Sequence, residues 1–91
     1  MKFLVIIEKG EKNYSAYSPD VSGCVATGES VEETLVNMRE ALEFHFEAMS
    51  EDGEEIPIPK GLNYYLENTE EISSEDILAH INLKIPEPAF T

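Results

Sequence analysis

Apolar residues change period several times along this chain, and each change marks a boundary between elements. Phe3-Leu4-Val5-Ile6-Ile7 is an unbroken apolar run rich in β-branched residues, the pattern of a strand covered on both faces. Lys9-Gly10-Glu11-Lys12-Asn13 is polar and carries a glycine, which predicts a hairpin turn. Tyr14, Ala16 and Ser18 then alternate with Ser15 and Tyr17 as a second strand. Pro19 ends it, because proline cannot donate to a ladder. Asp20 to Gly23 predicts a second turn, and Cys24 to Gly28 a short third strand. Three strands so close in sequence predict an antiparallel meander.

The period then shifts to that of a helix. Val31, Leu35, Met38, Leu42, Phe46 and Met49 recur at steps of three and four, with Ala41, His45 and Ala48 beside the stripe. Glu32, Glu40, Glu43 and Glu47 lie mostly away from it. Ser30 stands where an N-cap belongs, and Glu33 follows at capping-box spacing. Asp52-Gly53 supplies a stop. A helix from about residue 31 to 51 is roughly 30 Å long, so its apolar stripe must lie across the sheet.

Ile56-Pro57-Ile58-Pro59 forbids helix and favours an extended course. Leu62 to Glu71 fits either a short helix or a loop packed under the helix end, with Tyr64, Tyr65 and Leu66 as its apolar residues. Ile77, Ala79, Ile81, Leu83 and Ile85 form one face of a last strand, with His80, Asn82 and Lys84 on the other, until Pro86 and Pro88 stop it. The order β-β-β-α-β predicts an α+β domain. Its antiparallel sheet carries one long helix on one face, with the last strand beside the first. The sheet's second face and its edges are then open to a partner.

Composition sharpens this picture. Ninety-one residues with an apolar fraction of 42% make one small folded domain, 1–91; self-association, as a homodimer or higher homo-oligomer, would help so small a core. Nineteen acidic residues against six basic ones give a net charge of −13. Such a surface is repelled by phosphate backbones, which argues against direct nucleic-acid binding, and it attracts a basic protein. The same acidity also serves solubility alone. Cys24 is the lone cysteine, so no internal disulfide forms. The apolar run at the amino terminus is too short for a signal peptide or a membrane span. A cytoplasmic protein without membrane association is the expectation.

Enzyme chemistry finds little footing. Cys24, His45 and His80 are the only thiol or imidazole ligands and form no close pair, so no metal is expected. Nothing flanks Cys24 as a nucleophile's surroundings would, and a small buried strand residue is the plainer reading. Adjacent acids such as Glu32 and Glu33, or Glu70 and Glu71, carry no information where acids are this frequent. Gly23 and Gly28 form no phosphate-cradling loop. No catalytic residue and no cofactor is expected. Tyr64 and Tyr65 lack the basic setting of a base-stacking site and fit a core or an interface.

Tyr17-Ser18-Pro19-Asp20-Val21-Ser22-Gly23-Cys24, followed by a strand, Gly28 and the cap at Ser30, resembles the signature of the HicB antitoxin family. The likeness continues through Val31-Glu32-Glu33-Thr34-Leu35 and Glu40-Ala41-Leu42 to the Gly53 and Ile56-Pro57-Ile58-Pro59 exit. Pro19, Asp20, Gly23, Cys24, Gly28, Ser30 and Glu33 carry it, mainly as fold-determining positions. The resemblance implies a partial ribonuclease-H-like fold without nuclease activity. It further implies a partner, a small basic HicA-like toxin that cleaves mRNA and that the antitoxin covers in a type II toxin–antitoxin system. The stretch after the last strand leaves no room for the carboxy-terminal DNA-binding module of many family members.

Two readings of function follow. One is a toxin-binding antitoxin whose partner surface is the exposed sheet edge and the turn Asp20, Val21 and Ser22. The other is a solitary homo-oligomeric domain with a regulatory role and no toxin.

Overall fold

The computed structural model describes residues 1–70 and 72–84. Its elements are β1 (Lys2–Lys9), β2 (Tyr14–Ser18), β3 (Val21–Gly28), α1 (Val31–Glu51), α2 (Leu62–Asn68) and β4 (Ile77–Asn82). The strands form one antiparallel sheet in the order β3-β2-β1-β4. The last strand therefore returns beside the first, as expected, but it ends at Asn82 and leaves Ile77, expected on its inner face, exposed. Ile85, Pro86 and Pro88, expected at its end, lie outside the described residues, as does Glu71.

β1 is the centre of the molecule because both of its faces are apolar. Phe3, Val5 and Ile7 face α1 and pack with Met38, Leu42, Phe46, Cys24, Ile81 and Leu83. Leu4 and Ile6 face the other way, onto Tyr65 with Leu62, Ile72 and Tyr17 around it. All five β1 side chains are at most 1% exposed. Burying each contributes roughly 1.5–3 kcal/mol relative to an exposed position.

The second sheet face is therefore not open, as the sequence reading expected. The chain leaves α1 along the proline exit and crosses to the far side of the sheet, where α2 lies over Leu4 and Ile6. Tyr65 packs against that face and not under the end of α1. The apolar character of Leu4 and Ile6 demands such a cover.

α1 matches its predicted span. Ser30 Oγ accepts from Glu33 N–H at 3.0 Å, a cap of the kind worth about 1 kcal/mol. Met38, Leu42 and Phe46 are fully buried, and Phe46 meets the Phe3 ring with centroids 5.0 Å apart. Ala48 is exposed, whereas Thr34, which the apolar pattern passes over, is fully buried. Its Oγ1 donates to the Ser30 carbonyl at 2.7 Å, so its hydroxyl is not left unpaired inside the core.

The turn between β2 and β3 also differs from expectation. Val21 already pairs with Ser18, so the reversal itself is only Pro19-Asp20, and β3 begins at Val21 instead of Cys24. The register then jumps: Tyr17 pairs with Val25, which leaves Ser22, Gly23 and Cys24 as extra residues bulging from β3. Gly23 takes a φ of 80° in this bulge, a conformation that a Cβ disfavours. Cys24 then points back under the helix, buried.

Candidate protein-binding surface

The signature residues fall into two groups in space. Gly28, Ser30 and Glu33 set the junction between β3 and α1. A Cβ at Gly28 would lie 2.6 Å from Thr34 Oγ1 and 2.7 Å from Thr34 N. The position therefore needs glycine for close approach to the first helical turn, not for a bend. Pro19, Asp20, Gly23 and Cys24 build the β2–β3 turn and its bulge.

Asp20 ties this turn to the far side of the chain. Its Oδ1 accepts from the Tyr65 hydroxyl at 2.6 Å and from the Lys60 backbone N–H at 3.0 Å. One carboxylate thus anchors both the end of the proline exit and α2. Burial, and next the hydrogen bond to Asp20, hold the Tyr65 phenol well above the ordinary tyrosine range. Tyr64 lies edge-on to Tyr65 at 5.1 Å, and Lys60 Nζ stands 4.8 Å from the centre of the Tyr64 ring. Beside them Pro19, Lys60, Tyr64, Tyr65 and Asn68 line a cleft of about 290 Å³, at the low end of what small-molecule sites need.

Of the three turn residues expected to meet a partner, Val21 is 2% exposed and belongs to the main core. Asp20 commits Oδ1 to internal bonds while its buried Oδ2 has no hydrogen-bond partner among the described residues, and Ser22 is exposed on the bulge. Among the described residues the neighbouring edge of β3 has no strand beyond it, and it exposes Val25.

The outward face of α1 is the other prominent surface. Glu32, Glu33, Glu40, Glu43, Glu47 and Glu51 are all exposed. Glu32 and Glu33 sit in the first turn, where the helix dipole favours them. Glu47 and Glu51 approach the opposite pole, followed by Asp52, Glu54 and Glu55, and no basic residue stands in the last turn. Glu43–Glu47 and Glu47–Glu51 are like-charge pairs at i,i+4, a spacing at which repulsion costs on the order of 0.2–0.5 kcal/mol on exposed helices. Amid these carboxylates stand two bare apolar side chains, Val36 at 56% and Phe44 at 75% exposure. Sequence reading took this face as acidic and missed Phe44, although its place off the stripe was the signal.

Nothing in the described residues gathers a metal site: no group of three His, Cys, Asp or Glu side chains converges. Cys24 is buried, which pushes its thiol up and keeps it protonated. His45 is half-buried beside Phe46, and His80 is exposed on β4. No described helix is long and apolar enough to cross a membrane.

Comparison with known proteins adds the following. The profile of a family described as "HicB_like antitoxin of bacterial toxin-antitoxin system" matches residues 3–88. An uncharacterized 14.9 kDa protein from the rep-hol intergenic region of Haemophilus phage HP1 is 37% identical over 70 residues, which are 77% of this chain and 53% of that protein. The chain thus spans about half the length of the phage protein. The crystal structure of the N-terminal domain of the Burkholderia pseudomallei antitoxin HicB superposes with a TM-score of 0.78 at 25% identity, over 93% of this chain and 100% of that one. A chain from the HicA3 and HicB3 toxin-antitoxin complex gives a TM-score of 0.76 at 27% identity, over 92% and 99%.

Proposed function

This chain belongs to the family of HicB-like antitoxins of bacterial toxin–antitoxin systems, and from that premise we propose that it binds and occludes a small basic HicA-type ribonuclease without performing catalysis itself. The observation that carries the reading is the likeness to a chain from a HicA3–HicB3 complex over 92% of its length, joined to a net charge of −13. A basic toxin would be steered onto such a surface, and the encounter would weaken as salt screens it. Ser22, on the β3 bulge beside the free edge, is the part of the β2–β3 turn that is open to the toxin. The chain acts in the cytoplasm, where mRNA is the toxin's target. It associates with a second copy through one of the outer strands of the sheet, β3 or β4.

The test is direct. Purified protein is titrated into an RNA-cleavage assay of a purified HicA-type toxin from the source genome, at low and at high salt. Cleavage falling to background at equimolar ratio in low salt, with affinity lost as salt rises, is the expected result. Undiminished cleavage at every ratio sinks the proposal and favours a solitary domain with a regulatory role and no toxin.

A further inference from the structure

The geometry points to the outward face of α1 as the main docking surface for the basic toxin, with Phe44 as its apolar anchor; this rests on the antitoxin reading above. Phe44 lies one helical turn from Glu40 and from Glu47, and Val36 one turn from Glu32, Glu33 and Glu40. Each apolar side chain is therefore framed by carboxylates, the pattern of a buried hot spot inside a charged rim once a partner covers it. The helix has one arginine, Arg39, and its guanidinium donates to the Asn82 carbonyl on β4 at 3.0 Å. No basic residue stands in the helix's last turn to neutralise Glu47 and Glu51.

A second feature makes this face more than a solvated one. Carboxylates crowd the negative pole of the helix, where they oppose the dipole and one another. A sequence that keeps such a conflict away from its core keeps it where something outside relieves it. Only a cationic occupant does so. A second copy brings the same −13, and nucleic-acid or lipid phosphates add further negative charge. A protein surface with an apolar socket among lysines and arginines satisfies Phe44 and the carboxylates together.

The experiment exploits opposite signs. Glu47→Lys with Glu51→Lys places cations at the negative pole of the helix and turns the repulsion between positions 43 and 47 into an attraction. Positions 47 and 51 only exchange one like-charge pair for another, so the net effect is that the free protein should melt at a higher temperature. The same change should weaken binding of the HicA-type toxin by about tenfold or more. Phe44→Ala should weaken binding to a similar degree with the melting temperature of the free protein kept. Glu11→Lys with Glu75→Lys alters net charge equally at exposed positions off the helix, and should weaken binding far less.

Helix variants that bind like wild type, while wild type inhibits the toxin, overturn the docking surface and leave the antitoxin reading standing. So does an equal loss in the Glu11/Glu75 variant, or a larger loss in Ser22→Lys. A Phe44→Ala variant that changes self-association and not toxin binding assigns the face to a second copy, against the proposal. Wild type that binds no HicA-type toxin overturns both.

Discussion

Gly28 and Asp20 illustrate how two neighbouring parts of one signature answer to different physics. At Gly28 the constraint is volume: a methyl group there meets the backbone nitrogen of Thr34 at 2.7 Å. Gly28→Ala must push the start of α1 off β3, and overpacking of this kind costs about 1–3 kcal/mol. Urea unfolding should show the midpoint falling with its slope unchanged. At Asp20 the constraint is a hydrogen-bond partner. Asp20→Ala strips the acceptor from a Tyr65 hydroxyl whose residue is 8% exposed, and an orphaned buried donor costs about 1–3 kcal/mol. An Asp20→Lys change, attractive for testing partner binding, would loosen α2 as well. Tyr65 adds a pH signature. Its folded pKa lies above the unfolded value of about 10, so its stabilisation is complete below that value and fades as pH rises through it. The advantage of wild type over Tyr65→Phe should therefore be constant up to about pH 10 and shrink steadily as pH rises beyond it. A gap that stays constant above that pH would show that the Tyr65 proton is not coupled to folding.

Elements differ in how plainly the sequence announces them. α1 is legible from end to end because its apolar period, its cap at Ser30 and its stop at Asp52-Gly53 all agree, and because local rules alone decide them. Ser30→Ala should accordingly cost about 1 kcal/mol, seen as a lower melting temperature with α1 still formed. The strands are legible too, down to the two-sided burial of Phe3 to Ile7. The β3 bulge is not, since its register depends on which residue of β2 faces Val25, and Gly23 only hints at it. α2 is the least legible: its seven residues become helical against Leu4 and Ile6 of β1, contacts that no local window contains. The same distance hides the role of Asp20, whose partner Tyr65 is 45 residues away. Held by one carboxylate and a small apolar patch, α2 should open more readily than the sheet. Hydrogen exchange should release the amides of 62–68 well before those of β1; equal protection in both would make the molecule a single cooperative unit.

At the scale of the whole molecule, the strand order β3-β2-β1-β4 sets a schedule for making the protein as well as a shape. Of the four strands, the one synthesised earliest ends up inside the sheet, and Lys2 must wait for Asn82 before its ladder is complete. Until then, β1 can borrow β2 and α1 but presents a bare edge of Phe3 to Ile7 along its other side, the kind of edge on which nascent chains aggregate. Closure of a central strand by a distant one is also slow relative to local hairpins. Translation that stalls before β4 therefore yields an adhesive half-sheet, and a cell degrading unfinished chains would remove it first. Each new copy of the finished protein therefore depends on synthesis that runs without interruption through β4.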